Sequence, residues 1–283
     1  MMKRRLVVEF TKMNGAGNDF VIVDNRFYHF SDEELIDLAR RLCRRRFGIG
    51  ADGLLAFSPP REEGHDYRMR YVNADGSVGT MCGNGARCLA RFAHRAGLTS
   101  PELIFETDAG VFRARVPAGE DAPVRIYLGA PRHFAPERSL PSVAETLGGD
   151  AHAIWTGTEH LVCFVEDVAS VPVAEWGLRI RSDADLAPVG ANVDFVQVAG
   201  SKPARLIART FEKGVEDETF ACGTGAVAAA VVARLLNRVA ENRVDVEMPG
   251  GRLVVGFEYD DGEISELYLE GPAEVVYRGT VEV

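Results

Sequence analysis

A short cysteine-containing segment occurs twice in this 283-residue chain. The first copy is Cys82-Gly83-Asn84-Gly85-Ala86 and the second is Cys222-Gly223-Thr224-Gly225-Ala226. In each copy the glycines allow a tight backbone turn, and the residues that follow are typical of a helix. The first turn of a helix presents unpaired N–H groups and the positive end of the helix dipole, both of which favour a thiolate over a thiol. Two such cysteines at equivalent places predict a pair that works together.

Two thiols on opposite sides of one carbon atom can invert its configuration. A cysteine whose pKa lies near the ordinary value of about 8.5 can both take up and release a proton. If the halves of the chain meet across a pseudo-twofold axis, Cys82 and Cys222 face each other over a cleft, where one removes a proton and the other delivers one. The two helix N-termini would then bind an anion, and the α-carboxylate of an amino acid is the natural candidate. The sequence therefore predicts an amino-acid racemase or epimerase that needs no cofactor.

Composition restricts the location and the partners of the protein. The net charge is −10, from 32 Lys and Arg against 42 Asp and Glu, which argues against a nucleic-acid or anionic-membrane surface. No stretch approaches the roughly 18 apolar residues of a membrane span. Met1–Arg5 lacks the apolar run of a signal peptide, and the five scattered cysteines are typical of reduced thiols. We therefore expect a cytoplasmic enzyme that acts on a small-molecule amino acid, with no nucleic-acid and no membrane partner.

The elements around the two cysteine segments follow the same order in both halves of the chain. Short strands precede each segment, a helix follows it, and further strands close the half. The helices are predicted over residues 84–96 and 224–239, and the second is the more apolar and hence the more completely buried. A largely apolar helix surrounded by strands requires a sheet that curls around it. We therefore predict an α/β (α+β) fold with two pseudo-symmetric domains, each a mostly antiparallel, barrel-like sheet curled around a central helix.

Two segments rich in glycine or proline are predicted to be loops. Gly15 and Gly17 fit a β-hairpin with a bulge, and they fit equally well a loop that holds the Asn18 amide for a ligand. The prolines and paired glycines of residues 131–150 indicate a linker between the halves.

Several motifs together resemble the diaminopimelate epimerase family, in the family's order and spacing over nearly the whole chain. The resemblance implies conversion of LL- to meso-2,6-diaminoheptanedioate in lysine and peptidoglycan precursor synthesis, without pyridoxal phosphate or metal. It also implies a homodimer with two domains per chain, residues 1–128 completed by the C-terminal strand 272–283, and residues 129–271. The segments that carry the resemblance are Met13–Phe20, Asn73–Ser77, Cys82–Cys88, Asn192–Phe195 and Ala221–Ala226.

The resemblance also implies roles for individual residues. Cys82 and Cys222 would be the base and the acid, exchanging roles with the direction of the reaction. His160 and Glu212 would tune the two thiols. Backbone amides at the two helix starts would hold the reacting α-carboxylate, and asparagine side chains would bind the distal, non-reacting end of the substrate. The implied substrate-binding residues are Asn18, Asn73, Gly83, Asn84, Asn192, Glu212, Lys213, Gly223 and Thr224.

The chain departs from the family pattern mostly at the expected distal end. Gly157-Thr158-Glu159-His160 stands where the family commonly has Gly-Asn-Pro-His, so that a hydroxyl replaces an amide. Glu212-Lys213-Gly214 stands where Glu-Arg-Gly is common, and lysine cannot reproduce the bidentate pairing of a guanidinium with a carboxylate. The loop from Glu212 to Cys222 is also one residue longer than the commonest form, which makes Glu216 and Glu218 candidate substrate contacts. Thr158 and Lys213 favour, as the alternative, a racemase or epimerase of another amino acid on the same scaffold.

Other activities explain less of the sequence. Residues 223–228 loosely match the GxGxxA fingerprint of dinucleotide-binding proteins, but charged residues precede them instead of a buried strand. A hydrolase that used Cys222 and His160 would need only one cysteine. A dithiol redox enzyme would use both cysteines as a disulfide pair. Because the two cysteines lie at helix starts in different halves of the chain, a disulfide between them is better explained as an oxidised, inactive form of the enzyme. A paralogue that binds an amino acid without turning it over would have no need of both thiols.

Overall fold

The computed structural model describes residues 6–283, so the prediction made on Met1–Arg5 lies outside the described residues. The strands are β1 (Val7–Gly15), β2 (Asn18–Asp24), β3 (Gly53–Ser58), β4 (Tyr67–Asn73), β5 (Val78–Gly79), β6 (Glu102–Thr107), β7 (Gly110–Arg115), β8 (Val124–Tyr127), β9 (Arg132–Arg138), β10 (Ala151–Trp155), β11 (Glu159–Phe164), β12 (Asn192–Ser201), β13 (Ala204–Glu212), β14 (Asp217–Thr219), β15 (Arg243–Met248), β16 (Gly251–Asp260), β17 (Glu263–Gly271) and β18 (Glu274–Glu282). The α-helices are α1 (Asn25–Tyr28), α2 (Asp32–Leu42), α3 (Gly83–Arg95), α4 (Pro141–Leu147), α5 (Val173–Arg181) and α6 (Gly223–Leu235).

The chain divides into two compact units. The first unit ends at Tyr127 and also includes Gly271–Val283, and the second is Leu128–Glu270. The C-terminal strand β18 belongs to the first unit because it pairs with β1 along almost its whole length.

In the first unit the strands pair in the order β18, β1, β2, β3, β4, β6, β7, β8, and β5 is also paired with β4. In the second unit the order is β9, β10, β11, β12, β13, β15, β16, β17, with β14 on β13. Parallel pairs occur at equivalent places, β2 with β3 and β4 with β6, then β11 with β12 and β13 with β15. The units therefore repeat one topology, which confirms the predicted α/β fold with two mostly antiparallel domains.

One helix occupies the centre of each unit. Helix α3 packs against β1, β2, β3, β4, β7 and β8, and α6 packs against β10, β11, β12, β13, β15 and β16. A helix can contact so many strands of one sheet only if the sheet curls around it, as predicted. Residues 226–233 of α6 are all fully buried, which confirms the prediction that the second helix is the more completely buried. No helix within residues 6–283 is both long and apolar enough to cross a membrane.

Helix α6 ends earlier than the sequence predicts. The prediction extended it to Val239, but its last residue is Leu235 and Leu236 is the C-cap. Asn237 follows with a left-handed backbone (φ 55°). Asparagine is among the few residue types that adopt this conformation readily, and it is common just after a helix.

Strand β3 is buried along its whole length because helices cover both faces of the sheet. Leu54 and Ala56 pack with Leu35 and Leu38 of α2, and α3 packs against the strand as well. Strands that are covered by helices on both faces typically have a continuous run of apolar residues, as β3 does. In the second unit α5 has the corresponding position and packs against β12 and β13. The helices packed on the two sheets fix the strand ends at which the polar residues of the candidate site lie.

The prediction of a linker at residues 131–150 is wrong, because this segment contains β9 and α4. Its prolines and glycines have other physical roles. Pro136 lies in β9, which pairs only with β10 among the described strands and does so irregularly, as an edge strand that tolerates proline. Pro141 begins α4, and Gly148 ends it in the left-handed conformation (φ 66°). The composition thus marks an edge strand and the two ends of a helix.

Candidate active site

Cys82 lies at the start of the central helix of the first unit. It is the N-cap of α3, with an extended backbone (φ −138°, ψ 118°). Its Sγ accepts a hydrogen bond from the Gly85 N–H at 3.5 Å. Polar side chains favour this position because they satisfy N–H groups that the helix leaves unpaired. The first copy of the repeated segment thus places a half-buried thiol on a helix N-terminus.

A two-residue turn brings Asn18 to this thiol. Ala16 and Gly17, with φ values of 61° and 85°, join β1 to β2, and Gly15 pairs with Asn18. Two consecutive residues with positive φ are typical of the turns favoured in β-hairpins. Asn18 Oδ1 lies 3.6 Å from Cys82 Sγ and accepts a hydrogen bond from Asn84 Nδ2 at 3.4 Å. The segment is therefore a hairpin and also presents the Asn18 amide to the cysteine.

Asp52 determines the orientation of the Asn18 amide. Asp52 Oδ2 accepts hydrogen bonds from Asn18 Nδ2 at 2.5 Å and from the Asp19 N–H at 3.0 Å. Because a carboxylate only accepts, the Asn18 nitrogen must face Asp52 and its oxygen must face Cys82. Arg45 Nη2 in turn donates to Asp52 Oδ1 at 2.9 Å. No sequence motif identifies Asp52 as a site residue, because its partner Asn18 is 34 residues away in the chain.

Arg87 places a buried positive charge close to Cys82. Its side chain is fully buried, and it donates to Asn84 Oδ1 at 2.9 Å and to the Pro272 carbonyl at 3.2 Å. Burial lowers the pKa of the Arg87 guanidinium, while negative charge on Cys88 or Cys82 would raise it. Arginine stays protonated in proteins. A thiolate at Cys82 would therefore be attracted to this guanidinium.

Asn73, the remaining predicted site residue of the first unit, makes a separate set of hydrogen bonds. It ends β4, where its Oδ1 accepts from the Tyr71 hydroxyl at 2.5 Å and its Nδ2 donates to Ser77 Oγ at 2.9 Å. These bonds stabilise the turn of residues 73–77. The substrate contact of Asn73 stays a prediction.

Cys222 occupies the same place on α6 but in a different environment. It is the N-cap of that helix and only 5% exposed. Its Sγ lies 3.4 Å from Thr224 Oγ1 and 4.0 Å from Asn192 Nδ2. Burial raises the pKa of the Cys222 thiol well above its ordinary value, and the carboxylates of Glu212 and Asp194 raise it further. The hydrogen bond from the Gly225 N–H at the helix start lowers this pKa, as expected for a helix N-terminus, but burial outweighs it.

A chain of buried hydrogen bonds leads from Asp194 to Cys222. In the parallel pairing of β11 and β12, His160 lies opposite Asn192. His160 Nδ1 is 2.7 Å from Asp194 Oδ2, and His160 Nε2 is 3.3 Å from Asn192 Nδ2. A carboxylate at Asp194 requires the proton on Nδ1, so that Nε2 accepts from Asn192. The Asn192 NH₂ group is thereby directed toward His160 and Cys222.

Asp194 is the site residue that the sequence analysis missed in the second unit. Its other oxygen, Oδ1, accepts a hydrogen bond from Thr210 Oγ1 at 2.7 Å. A Cβ atom at Gly225 would lie 2.4 Å from the same oxygen. The second glycine of the repeated segment therefore lets α6 begin directly against the carboxylate. The motif Asn192–Phe195 contained Asp194, but its role depends on His160, 34 residues earlier.

Glu212 and Lys213 follow one another at the end of β13. Burial raises the pKa of the Glu212 carboxyl. The Lys213 N–H donates to Asn192 Oδ1 at 2.8 Å, which fixes the other end of the Asn192 amide. Lys213 Nζ forms an ion pair with Glu159 Oε2 at 2.8 Å. The two residues that replace the family's common proline and arginine are therefore in contact with each other.

The other acids of this loop are held by arginines. Arg209 binds Glu218 with two hydrogen bonds of 2.7 Å. Glu216 Oε1 accepts from Arg181 Nη2 at 2.8 Å and from the Gly214 N–H at 2.9 Å. Bidentate pairing makes Glu218 part of the framework. A substrate contact by either acid stays a prediction.

Each unit thus combines a thiol at the start of a buried helix with an asparagine amide beside the sulfur. The amide oxygen of Asn18 faces Cys82, whereas the amide nitrogen of Asn192 faces Cys222. Among residues 6–283 no group of three or more His, Cys, Asp and Glu side chains is placed to hold a metal ion. The chemistry that these groups support is proton transfer by thiols.

Comparison with known sequences identifies a family. The sequence model described as "Diaminopimelate epimerase" matches residues 10–134 and 152–276, one match for each half of the chain. A diaminopimelate epimerase of Chlorobaculum tepidum is 42% identical over 274 residues, covering 95% of this chain and 99% of the relative. One of Methanocella arvoryzae is 39% identical over 286 residues, covering 98% and 97%.

Solved structures share the fold at much lower identity. A phenazine biosynthesis protein of the PhzF family from Bacillus anthracis aligns with a TM-score of 0.76 and 18% identity, over 98% of this chain and all of that chain. A hydroxyproline epimerase from Agrobacterium vitis, solved with trans-4-hydroxy-L-proline, aligns with a TM-score of 0.71 and 13% identity, over 99% and 92%. At this identity the likeness concerns the fold alone.

Proposed function

Because the chain belongs to the diaminopimelate epimerase family, we propose that it interconverts LL- and meso-2,6-diaminoheptanedioate. The observation that carries the proposal is the pair of cysteines, each at the N-cap of a buried central helix and each beside an asparagine amide. The family resemblance further implies that the product is used in lysine and peptidoglycan precursor synthesis.

In the proposed mechanism Cys82 and Cys222 act on the same α-carbon. The thiolate of one cysteine takes the α-proton, and the electron pair of the broken C–H bond stays on the carbon. The thiol of the other cysteine delivers its proton to the opposite face and becomes the thiolate. The raised pKa of Cys222 suits it to the delivering thiol in one direction, and the roles exchange in the other. Atoms and charges balance without an added oxidant or reductant.

We propose that the helix N-termini stabilise the charge that develops on the substrate. The backbone amides of Gly83 and Asn84 in α3, and of Gly223 and Thr224 in α6, would hold the α-carboxylate that shares the carbanion's charge. N–H groups in the first turn of a helix have no partner within the helix and point toward an anion. Donors fixed before the reaction stabilise developing charge without reorganising.

The remaining proposed substrate contacts involve side chains. Asn18, Asn73 and Asn192 would bind polar groups of the substrate, mainly at its distal end, and Glu212 would contact its amino groups. His160 would act through Asn192, since it bonds that amide at 3.3 Å. A cofactor has no part in this mechanism.

The test is conversion of LL- to meso-diaminoheptanedioate by the reduced protein, followed by chiral chromatography. We expect the wild type to approach an equilibrium mixture and both Cys82→Ala and Cys222→Ala to lose conversion. Cys43→Ala is the control, because Cys43 is a buried cysteine outside the proposed site. Retained conversion in either Cys82→Ala or Cys222→Ala would contradict the two-thiol proposal.

A second candidate is a racemase or epimerase of another amino acid. The observation that favours it is the Glu159–Lys213 ion pair, which joins two residues that stand where the family commonly has proline and arginine. Exchange of the α-proton with another amino acid, and none with diaminoheptanedioate, would select this candidate. If the α-proton of no amino acid exchanged, both enzyme candidates would be excluded, and the protein would be one that binds an amino acid without converting it.

A homodimer and a cytoplasmic location are also proposed, on the family resemblance. Light scattering of the purified protein would give a mass twice that of the 30.8 kDa chain for a dimer. Fractionation of the source cells would test the location.

A further inference from the structure

The amide oxygen of Asn18 is held against the sulfur of Cys82, and this contact bears on the proton of the thiol. Asn18 Oδ1 lies 3.6 Å from Cys82 Sγ. An amide oxygen has lone pairs and no proton, so it accepts from a thiol S–H and repels a thiolate. The amide NH₂ group would have the opposite effect, because it donates to a thiolate. The orientation of this amide therefore decides which protonation state of Cys82 it stabilises.

Groups on helix α3 act in the other direction. The Gly85 N–H donates to Cys82 Sγ at 3.5 Å, and the buried Arg87 guanidinium attracts negative charge on the sulfur. Both groups favour the thiolate. Cys88 of the same helix is neutral near pH 7, because burial raises its pKa to about 12. The Asn18 carbonyl thus opposes the loss of a proton that these groups promote.

A network of ion pairs fixes the Asn18 amide in this orientation. Asp52 Oδ2 accepts from Asn18 Nδ2 at 2.5 Å. Arg45 Nη2 joins Asp52 to Asp19, at 2.9 Å and 2.7 Å, and the buried Lys12 Nζ lies 2.6 Å from Asp19 Oδ2. Turning the amide over would place its oxygen against the Asp52 carboxylate, and two acceptors without a proton between them repel each other. The network therefore keeps the carbonyl on the side of Cys82.

The amide beside the other cysteine is turned the opposite way. Asn192 Nδ2 faces Cys222 Sγ at 4.0 Å. There, burial and nearby carboxylates favour the thiol, and the amide donor counteracts them. In each unit the amide thus opposes the groups that dominate at its sulfur. Two thiols that exchange the roles of acid and base work best when their proton affinities are similar.

Resting on the proposed function, we propose that Asp52 is a positioning residue for the acid–base chemistry of Cys82. By holding the Asn18 carbonyl toward the sulfur, Asp52 keeps on Cys82 the proton that this thiol delivers to the substrate. Asp52 acts through Asn18 and transfers no proton itself. A substrate contact by the second N–H of the Asn18 amide is compatible with this role.

The pH midpoint for alkylation of Cys82 by iodoacetamide measures the effect, because the thiolate is the form that reacts. Mass spectrometry of the peptide that contains Cys82 separates it from the other cysteines. We expect Asp52→Asn to move the midpoint about one pH unit lower, the size of one hydrogen bond to a charged group. The new side-chain amide can donate to the Asn18 oxygen, so that the Asn18 NH₂ group can turn toward the sulfur.

A double variant separates this route from a direct effect of the Asp52 charge. Asn18→Ala removes the acceptor and should itself lower the midpoint. Asp52→Asn added to Asn18→Ala should then cause no further shift. Asp19→Asn is the matched control, because it removes a carboxylate of the same network whose partners are Arg45 and Lys12. Its midpoint should stay near that of the wild type.

An unmoved midpoint in Asp52→Asn or in Asn18→Ala would overturn the proposal. An equal shift in Asp19→Asn would do so as well, and so would a shift by Asp52→Asn that persists without the Asn18 side chain. Alkylation of the buried Cys163 at pH 7 identifies a variant that fails to fold, and Asn18→Ala then provides the test. Alkylation requires no turnover, so these results are independent of the conversion assay, whose failure would overturn the proposed function.

Discussion

His160 Nδ1 lies 2.7 Å from Asp194 Oδ2, and neither side chain is exposed to solvent. The contact places a proton on Nδ1, leaves Nε2 as an acceptor and so directs the Asn192 NH₂ group toward Cys222. Asp194 forms hydrogen bonds with His160 and Thr210, and its charge also raises the pKa of the Cys222 thiol. We expect it to act as a positioning residue, through His160 and Asn192.

Asp194→Asn should therefore lower kcat with little change in KM. An amide can donate to His160 Nδ1, which permits the other tautomer and removes the acceptor for Asn192. A hydrogen bond to a charged group is worth about 1.5–3 kcal/mol, so we expect a loss of roughly 10–100-fold in kcat. The pH dependence of kcat separates this role from a structural one, because the profile should shift in Asp194→Asn. Thr210→Val, which removes only the hydroxyl bonded to Asp194, is the control for packing. A fall in kcat without any shift of the profile would point to a structural role.

Glu212→Gln should lower the pKa of Cys222, because the Glu212 charge helps to raise it. The pH midpoint for alkylation of Cys222 by iodoacetamide, followed by mass spectrometry in a Cys82→Ala background, should move to lower pH. Glu216→Gln is the matched variant, since its carboxylate is paired with Arg181 in the same loop. Equal midpoints in all three proteins would show that the Glu212 charge does not raise the pKa of Cys222.

The buried thiols should make the folded protein less stable at alkaline pH. Burial raises the pKa of Cys43, Cys88 and Cys163 to about 12. A raised pKa in the folded state means that stability is complete below the ordinary thiol pKa of about 8.5 and is lost as the pH rises from there toward 12. Urea denaturation at pH 7 and pH 10 should give a smaller free energy of unfolding at pH 10. Cys163→Ala should reduce that difference, and an unreduced difference would contradict the assignment.

Gly225→Ala should destabilise the second unit more than Gly85→Ala destabilises the first. At Gly225 the new Cβ would lie 2.4 Å from Asp194 Oδ1, within a buried network. At Gly85 it would lie 3.2 Å from the end of the flexible Leu55 side chain. Overpacking of this kind typically costs about 1–3 kcal/mol. Thermal unfolding of both variants gives the comparison, and an equal loss in the two would contradict it.

Much of the fold could be predicted because it follows from local patterns of apolar residues in the sequence. Helix α3 was predicted over residues 84–96 and runs over Gly83–Arg95, and the curled sheets followed from its apolar surface. Helix α5 was not predicted. Its N-cap is Pro172, which makes no side-chain cap hydrogen bond, so the sequence lacked the usual start signal.

The candidate site could be predicted where its residues lie in a short motif. The two cysteines, the asparagines beside them and the family could be named from sequence segments. Asp52 and Asp194 could not, because each acts on a residue more than thirty positions away. The raised pKa of Cys222 could not be predicted from the sequence either, because it comes mainly from burial of the thiol in the fold.

The most direct test of the two-thiol mechanism is the position of deuterium early in the reaction of LL-diaminoheptanedioate in D₂O. We expect each meso molecule to carry one deuterium at the inverted carbon, because the delivering thiol has exchanged with solvent. The LL compound recovered at low conversion should remain unlabelled, because the cysteine that removes its proton returns that same proton when the carbanion reverts. Recovered LL compound labelled as fast as meso product, or meso product that retains the original proton, would contradict the two-thiol mechanism.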